Sequence, residues 1–374
     1  MVASAGSKQV IELQSLRGLA ALVVLLHHTT VYYALPAGWH EAAERVFDGR
    51  AAVILFFVLS GYVLTLSLTR QPITVINTLK FYYRRGWRIY PAMIFALAIG
   101  VIYWLLFRGM VPPPIVSNWM SPEYREVNVT AVDAIRPFLG FGAQFPVAIW
   151  TISIELIGSL VIPLVALALV RSRWVFWALT VALAGVAILM APKLFSSTEY
   201  LVYFALGASV VLWSDRVAGW LRSDRSALLA ATAAALVLVL IQQIPGWRAG
   251  TGSTAPDLAY LLEGLAATAL VGIVAARHDA LPLLRHRSLI FLGDISYGLY
   301  LLHLPVLVLV AGFGTEGLAL PPMTTNPFTA TAILASVTLI ITIPLSWMTY
   351  RFIELPGISM GRRLPGRPRL SATT

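Results

Sequence analysis

LQSLRGLAALVVLLHHTTVYY, residues 13–33, is an apolar run that carries one arginine near its start and two adjacent histidines toward its end. About 20 residues rising 1.5 Å each match a hydrocarbon core of roughly 30 Å, so the run is read as a membrane-spanning helix. Arg17 and His28 stand eleven residues apart. On a helix that spacing is about 16 Å along the axis and only about 20° around it. One helix face therefore carries a cation at the membrane edge and an imidazole deep inside. Ionisable groups at such depth are costly, and each marks a candidate functional position.

The rest of the composition agrees with a membrane reading. Of 374 residues, 58% are apolar and 12% charged, and the mean hydropathy is +0.79. A soluble domain has no use for so much apolar surface, and a polytopic membrane protein does. The net charge of +10 sits in short loops between apolar runs, which sets topology and gives no nucleic-acid surface. With no cysteine in the chain, disulfides, thiolate metal sites and a thiol nucleophile are excluded. The first run also has some signal-peptide character, with a faintly cleavage-like stretch at 34–37. Its length and the many runs that follow favour an uncleaved first span.

The expected fold is all-α: a polytopic integral membrane protein of about ten transmembrane helices. They fall at 13–33, 51–68, 88–107, 147–169, 173–191, 198–213, 226–243, 257–276, 289–312 and 328–351. With the N-terminus cytoplasmic, 20 of the 27 Lys and Arg residues lie on the inside. That bias fixes the orientation and returns the C-terminus to the cytoplasm. Residues 1–355 form one transmembrane domain, and 356–374 a short basic tail suited to anionic headgroups. The segment 108–146, the longest external loop, has the length of a functional lid or of a packed surface loop. No internal repeat is visible, which argues mildly against inverted-repeat transporters.

Five further stretches carry candidate chemistry. In GRAAVILFFVLSGYVLTLSL, from Gly49, Ser60 and Gly61 are small enough for a helix or a ligand to approach closely. FYYRRGWRIYP, 81–91, sets Arg84 and Arg88 on one helix face with Arg85 beside them, among Tyr82, Tyr83, Trp87 and Tyr90. It reads either as positive-inside charge with an aromatic belt or as a phosphate cradle whose rings stack on a nucleobase. WTISIE, 150–155, places the Glu155 carboxylate inside the membrane, where it needs a proton or a partner. In SYGLYLLH, 296–303, Ser296, Tyr300 and His303 share a face, and the preceding Asp294 is expected to cap the helix start. Glu354, in RFIELP, is expected to pair with a basic neighbour. His27 and His28 point about 100° apart, and no histidine–carboxylate pair has ligand spacing, so no metal is expected.

Taken together and in order, these stretches resemble the membrane-bound acyltransferase-3 family of O-acyltransferases over nearly the whole chain. The family's arginine, ten residues, histidine pattern selects Arg17 and His28, leaving His27 the lesser candidate. VILFFVLSGYVLT, RRGWRIYP, WTISIE, SYGLYLLH and RFIELP resemble its other motifs, with Tyr62 where Phe is usual and Thr151 where Ser is common. The resemblance implies transfer of an acyl group, most often acetyl, from cytoplasmic acyl-CoA to a hydroxyl of a carbohydrate or glycoside acceptor. It implies no permanently bound cofactor. His28 and Glu155 are then the catalytic pair, with Glu155 orienting or charge-stabilising the imidazole. Arg17, Arg84, Arg85, Arg88, Tyr83, Trp87 and Ser60 are the donor-binding set. Trp150, Ser153, Tyr297, Tyr300 and His303 are acceptor-side or supporting residues. Transfer is either direct or through an acyl-histidine or acyl-serine. The rival class is a transporter of protons or an anionic small molecule, with a non-catalytic sugar- or lipid-binding relative as a third reading. The partners are the lipid bilayer, acyl-CoA and the acceptor, in the cell membrane, and an oligomer is compatible with the sequence.

Overall fold

The computed structural model describes residues 10–111, 113–117, 149–190, 198–244 and 255–363. Among these the chain is helical, with one isolated antiparallel bridge, Tyr33 to Val116. Helices α1 (Ile11–Tyr32), α2 (Ala37–Val46), α3 (Gly49–Thr69) and α4 (Val75–Phe107) come first. Then follow α5 (Ile149–Arg171), α6 (Arg173–Met190), α7 (Leu201–Trp220), α8 (Asp224–Leu240) and α9 (Ala255–Ala276). The last group is α10 (Arg287–Asp294), α11 (Ser296–Gly312), α12 (Pro327–Thr349) and α13 (Leu355–Arg362).

Each of the ten expected spans lands on helix. Seven helical stretches among the described residues are long and apolar enough to cross a membrane, so the protein is a multi-pass membrane protein. Of the other three, α1 is diluted by Arg17, His27 and His28, while α6 and α8 are short. Large apolar side chains face outward, Trp174 at 85% and Val181 at 68% exposure. Water would penalise that surface, and lipid tails do not.

Three boundaries differ from the sequence expectation. Helix α4 begins at Val75 rather than at 88, with the Thr74 hydroxyl accepting from the Asn77 amide at 3.3 Å. Its 33 residues reach about 50 Å, so the arginine segment lies inside one continuous helix. The ninth span is broken at Ile295 into α10 and α11. Asp294 does not cap it: it is the last residue of α10, and no side chain caps α11. The break falls where α1 crosses. A Cβ on Gly18 would stand 2.5 Å from the Gly293 nitrogen, and one on Gly293 2.5 Å from the Gln14 carbonyl oxygen. The tenth span runs on through a π-helical turn, Tyr350–Glu354, into α13. Gly357 and Gly361 of α13 lie against Trp87 and Arg84 of α4, so the start of the expected tail is a packed helix. The rest of that tail, 364–374, lies outside the described residues, as does the 108–146 loop apart from 108–111 and 113–117.

Helix α1 is the hub, touching α3, α10, α11 and α12. Its start is pinned by an ion pair from buried Glu12 to Arg285 and by the Ser15 hydroxyl donating to the Leu284 carbonyl at 2.6 Å. Helices α3 and α7 meet backbone to backbone. A Cβ on Gly61 would overlap the Phe204 carbonyl oxygen, and one on Gly207 would overlap that of Val58. Only small residues allow that approach.

Candidate active site

A cavity of about 120 Å³ lies among α1, α3, α4, α5 and α11. Its charged wall is Arg17, Arg85, Arg88 and Glu155. Successive turns of apolar α3 pass along it and expose Ser60 at the level of those charges. Arg85 forms an ion pair with Glu155 and donates through Nε to the Ser159 hydroxyl at 2.5 Å. The Ser60 hydroxyl donates to Glu155 Oε1 at 3.0 Å. Ser60, Arg85, Ser159 and Glu155 therefore form one polar knot joining α3, α4 and α5.

The other two guanidinium groups are different. Arg17 and Arg88 make no hydrogen bond or ion pair with the described residues. Glu155 and Glu354 are the carboxylates whose charge acts on both. Glu354 is 6% exposed, and its Oε1 has no hydrogen-bond partner among the described residues. Arg88 is exposed on the cavity wall and Arg17 is half-buried, so both can meet an incoming anion, a natural partner of a guanidinium.

A second cavity, of about 350 Å³, shares the walls Val63, Leu64, Arg85 and Arg88 with the first. It adds Arg70, Lys80 and Arg84, together with Ser67, Asn77 and Thr78. The two form a basic vestibule and an inner chamber, meeting at Arg85 and Arg88.

The inner chamber ends at Tyr300. Its hydroxyl is 2.5 Å from that of Thr151, and its ring packs edge-on against Phe56, with centroids 5.5 Å apart. Tyr297, also on the wall, donates to the Ile89 carbonyl at 2.9 Å. On the far side of Tyr300 are two imidazoles. The Tyr300 and His303 centroids are 5.6 Å apart, and those of His303 and His28 are 5.0 Å apart. His303 Nε2 lies 3.2 Å from His28 Nδ1. His28 Nδ1 also lies 2.8 Å from the Val24 carbonyl, and His303 Nδ1 lies 2.5 Å from that of Tyr300. His27 points elsewhere, to the Phe47 carbonyl at 2.9 Å and onto Gly49.

The structure thus brings Arg17, Ser60, Arg85, Arg88, Glu155, Tyr297 and Tyr300 to one chamber. Arg84 lies in the vestibule. Glu155 is not the partner of His28: its hydrogen bonds go to Ser60 and Arg85. Neither His28 nor His303 lines the chamber. Tyr83 and Trp87 line neither cavity, and Trp87 lies where α4 meets α13. Trp150 packs on Tyr200, with centroids 5.3 Å apart, and Ser153 is buried away from the chamber. Five residues at the site lie outside the sequence expectation. Arg70 and Lys80 read in sequence as topology charges, and Glu354 as half of an ion pair. Thr151 reads as a minor departure from a motif, and Ser159 sits one helical turn after Glu155.

An all-helical bundle with several membrane-crossing helices around an arginine-walled chamber defines a multi-pass membrane protein with an electropositive interior site. A family model described as an acyltransferase domain, that of the acyltransferase-3 family, matches residues 10–348, and the chain belongs to this family. The chain is similar to nodulation protein 10 of Rhizobium leguminosarum bv. viciae, 25% identical over 318 residues, covering 81% of this chain and 84% of that protein. It is also similar to O-acetyltransferase OatA of Staphylococcus aureus, 23% identical over 381 residues, covering 92% of this chain and 56% of OatA. The chain thus spans about half the length of OatA. No solved structure matches.

Proposed function

We propose that the protein is an O-acyltransferase that takes an acyl group, acetyl foremost, from acyl-CoA at the cytoplasmic face and delivers it to a hydroxyl of a carbohydrate or glycoside. The observation that carries the reading is the pair of guanidinium groups without a partner among the described residues, Arg17 and Arg88, in a chamber continuous with a basic vestibule. Acyl-CoA has this form: phosphates on a nucleotide head, then a slender arm tipped by a thioester. The head sits among Arg70, Lys80 and Arg84, and the arm passes Arg85 and Arg88 and runs up the apolar wall toward Tyr300. The acetyl preference leans on the name of OatA.

In this reading His28 is the general base. The acceptor oxygen attacks the thioester carbonyl carbon as its proton passes to the imidazole. The carbon–sulfur bond then breaks, and the imidazolium returns the proton to the leaving thiolate. The step requires Tyr300 to move when the donor is bound, because Tyr300 lines the chamber and His28, beyond His303, does not. The paired Glu155 holds Arg85 in place. We further propose ten spans with both termini cytoplasmic, in the cell membrane, on the bias of Lys and Arg.

The test uses the absence of cysteine from this chain. Purified protein in lipid nanodiscs is given acetyl-CoA with a panel of glycosides, and free thiol is titrated with a chromogenic disulfide. With no protein thiol as background, release of thiol matched by acetylated glycoside is the expected result. No thiol release from acetyl-CoA or longer acyl-CoA donors, with or without acceptor, rejects the reading in favour of a transporter or a binding protein.

A further inference from the structure

We propose that His303 is a positioning residue that fixes which nitrogen of His28 carries the lone pair. The proposal rests on the reading of His28 as base and names the device that orients it. Each imidazole has one nitrogen committed by a backbone carbonyl. His303 Nδ1 lies 2.5 Å from the Tyr300 oxygen, and His28 Nδ1 lies 2.8 Å from the Val24 oxygen. A carbonyl oxygen only accepts, so a neutral ring facing it at that distance must present N–H. Protonation at the other nitrogen would set two lone pairs against each other in a buried site.

For His303 the consequence is immediate. With the proton on Nδ1, its Nε2 is an acceptor, and that atom points at His28 Nδ1, 3.2 Å away. The His28 Nδ1–H is then shared between the Val24 oxygen and His303 Nε2. Both acceptors require the same tautomer of His28, with Nε2 unprotonated and basic. His303 is itself fully buried, at 0% exposure, so no water competes for the contact. Val24 alone is a weak guide, since it belongs to the same helix turn and moves with the ring. His303 comes from the neighbouring helix α11, not from α1 itself, and locks the ring against rotation as well as tautomer change.

The arrangement also favours the transition state. When the acceptor proton arrives at His28 Nε2, the ring becomes cationic, and its Nδ1–H bond to the neutral His303 strengthens as a charge-assisted contact. No carboxylate is needed, which fits a carboxylate, Glu155, that is bound to Arg85 and Ser60 instead. Proton count is conserved: His303 receives no proton and only accepts a hydrogen bond.

The test compares His303→Leu, which accepts nothing, with His303→Gln, whose amide oxygen reaches the same N–H. His303→Leu is expected to lower kcat about tenfold or more, inside the range that general-base catalysis supplies. Its KM for acetyl-CoA should stay within about twofold, since His303 lines neither cavity. His303→Gln should recover most of that loss. A KM effect equal to the kcat effect, or equal losses in both variants, overturns the proposal. A second arm needs no turnover. In wild-type protein labelled with ¹⁵N-histidine, the His28 resonance, identified by its loss in His28→Asn, should report protonated Nδ1 and unprotonated Nε2 in the neutral state. The opposite tautomer overturns the proposal even if His303→Leu fails to insert. Absence of acyl transfer by the wild type would remove the catalytic reading and leave the spectroscopic result standing by itself.

Discussion

Arg85 and Arg88 are neighbours in the same arginine cluster, yet they answer to different demands. Arg85, 11% exposed, neutralises Glu155, 19% exposed. Arg85→Ala strands that carboxylate and should cost about 3 kcal/mol of stability, read as a lower unfolding temperature in detergent. Arg88 holds no such partner among the described residues, so Arg88→Ala should leave stability within about 1 kcal/mol. Its cost should fall on the ligand, as a KM for acyl-CoA raised about tenfold. The reverse pattern would mean that the knot belongs to Arg88. His28→Asn should abolish turnover while the affinity for CoA, measured by calorimetry, changes less than about threefold, because His28 does not line the chamber. At this scale the sequence is informative along single helices. The alignment of Arg17 with His28 follows from helical geometry alone. The partner of Glu155 does not follow, since seventy residues and two helix faces separate it from Arg85. Nor does it follow that Tyr83 and Trp87 line neither cavity, since no motif announces the packing of α13 on Trp87.

Between elements, α3 packs against α7 at Gly61, the residue after Ser60. A methyl group at Gly207 would overlap the Val58 carbonyl oxygen, and no side chain is there to move aside. Gly207→Ala should therefore separate the helices and destabilise the protein by about 2 kcal/mol or more. Purified yield and unfolding temperature would report it, and an unchanged pair would refute the packing. Gly185, where an added methyl group would meet nothing within 4 Å, is the control: Gly185→Ala should be neutral or slightly stabilising. The ten expected spans all fall on helix, whereas α2 and α13 are not legible as apolar runs. The break at Ile295 and the π-turn at Tyr350–Glu354 are not legible either, because both arise where another helix presses on the chain.

For the whole molecule, the bias of Lys and Arg makes a statement that chemistry can check. The chain lacks cysteine, so single cysteines can be placed at Ala42 in α2 and at exposed Arg222 before α8. In intact cells an impermeant thiol reagent should label Ala42→Cys and spare Arg222→Cys until the membrane is opened. The reverse labelling would invert the molecule. Binding of CoA should weaken steadily with added salt through the vestibule residue Arg84, and less steeply in Arg84→Gln.

Arg85 and Arg88 line both vestibule and chamber, so in the proposed reading the loaded donor and the emptied carrier share one route past these two residues. A long cofactor must be threaded in tip first and drawn out again along the same track once its cargo is gone. The spent carrier therefore occupies the lane that the next loaded one needs. Free CoA should compete with acyl-CoA and not with the sugar, and departure of the emptied carrier should pace each cycle.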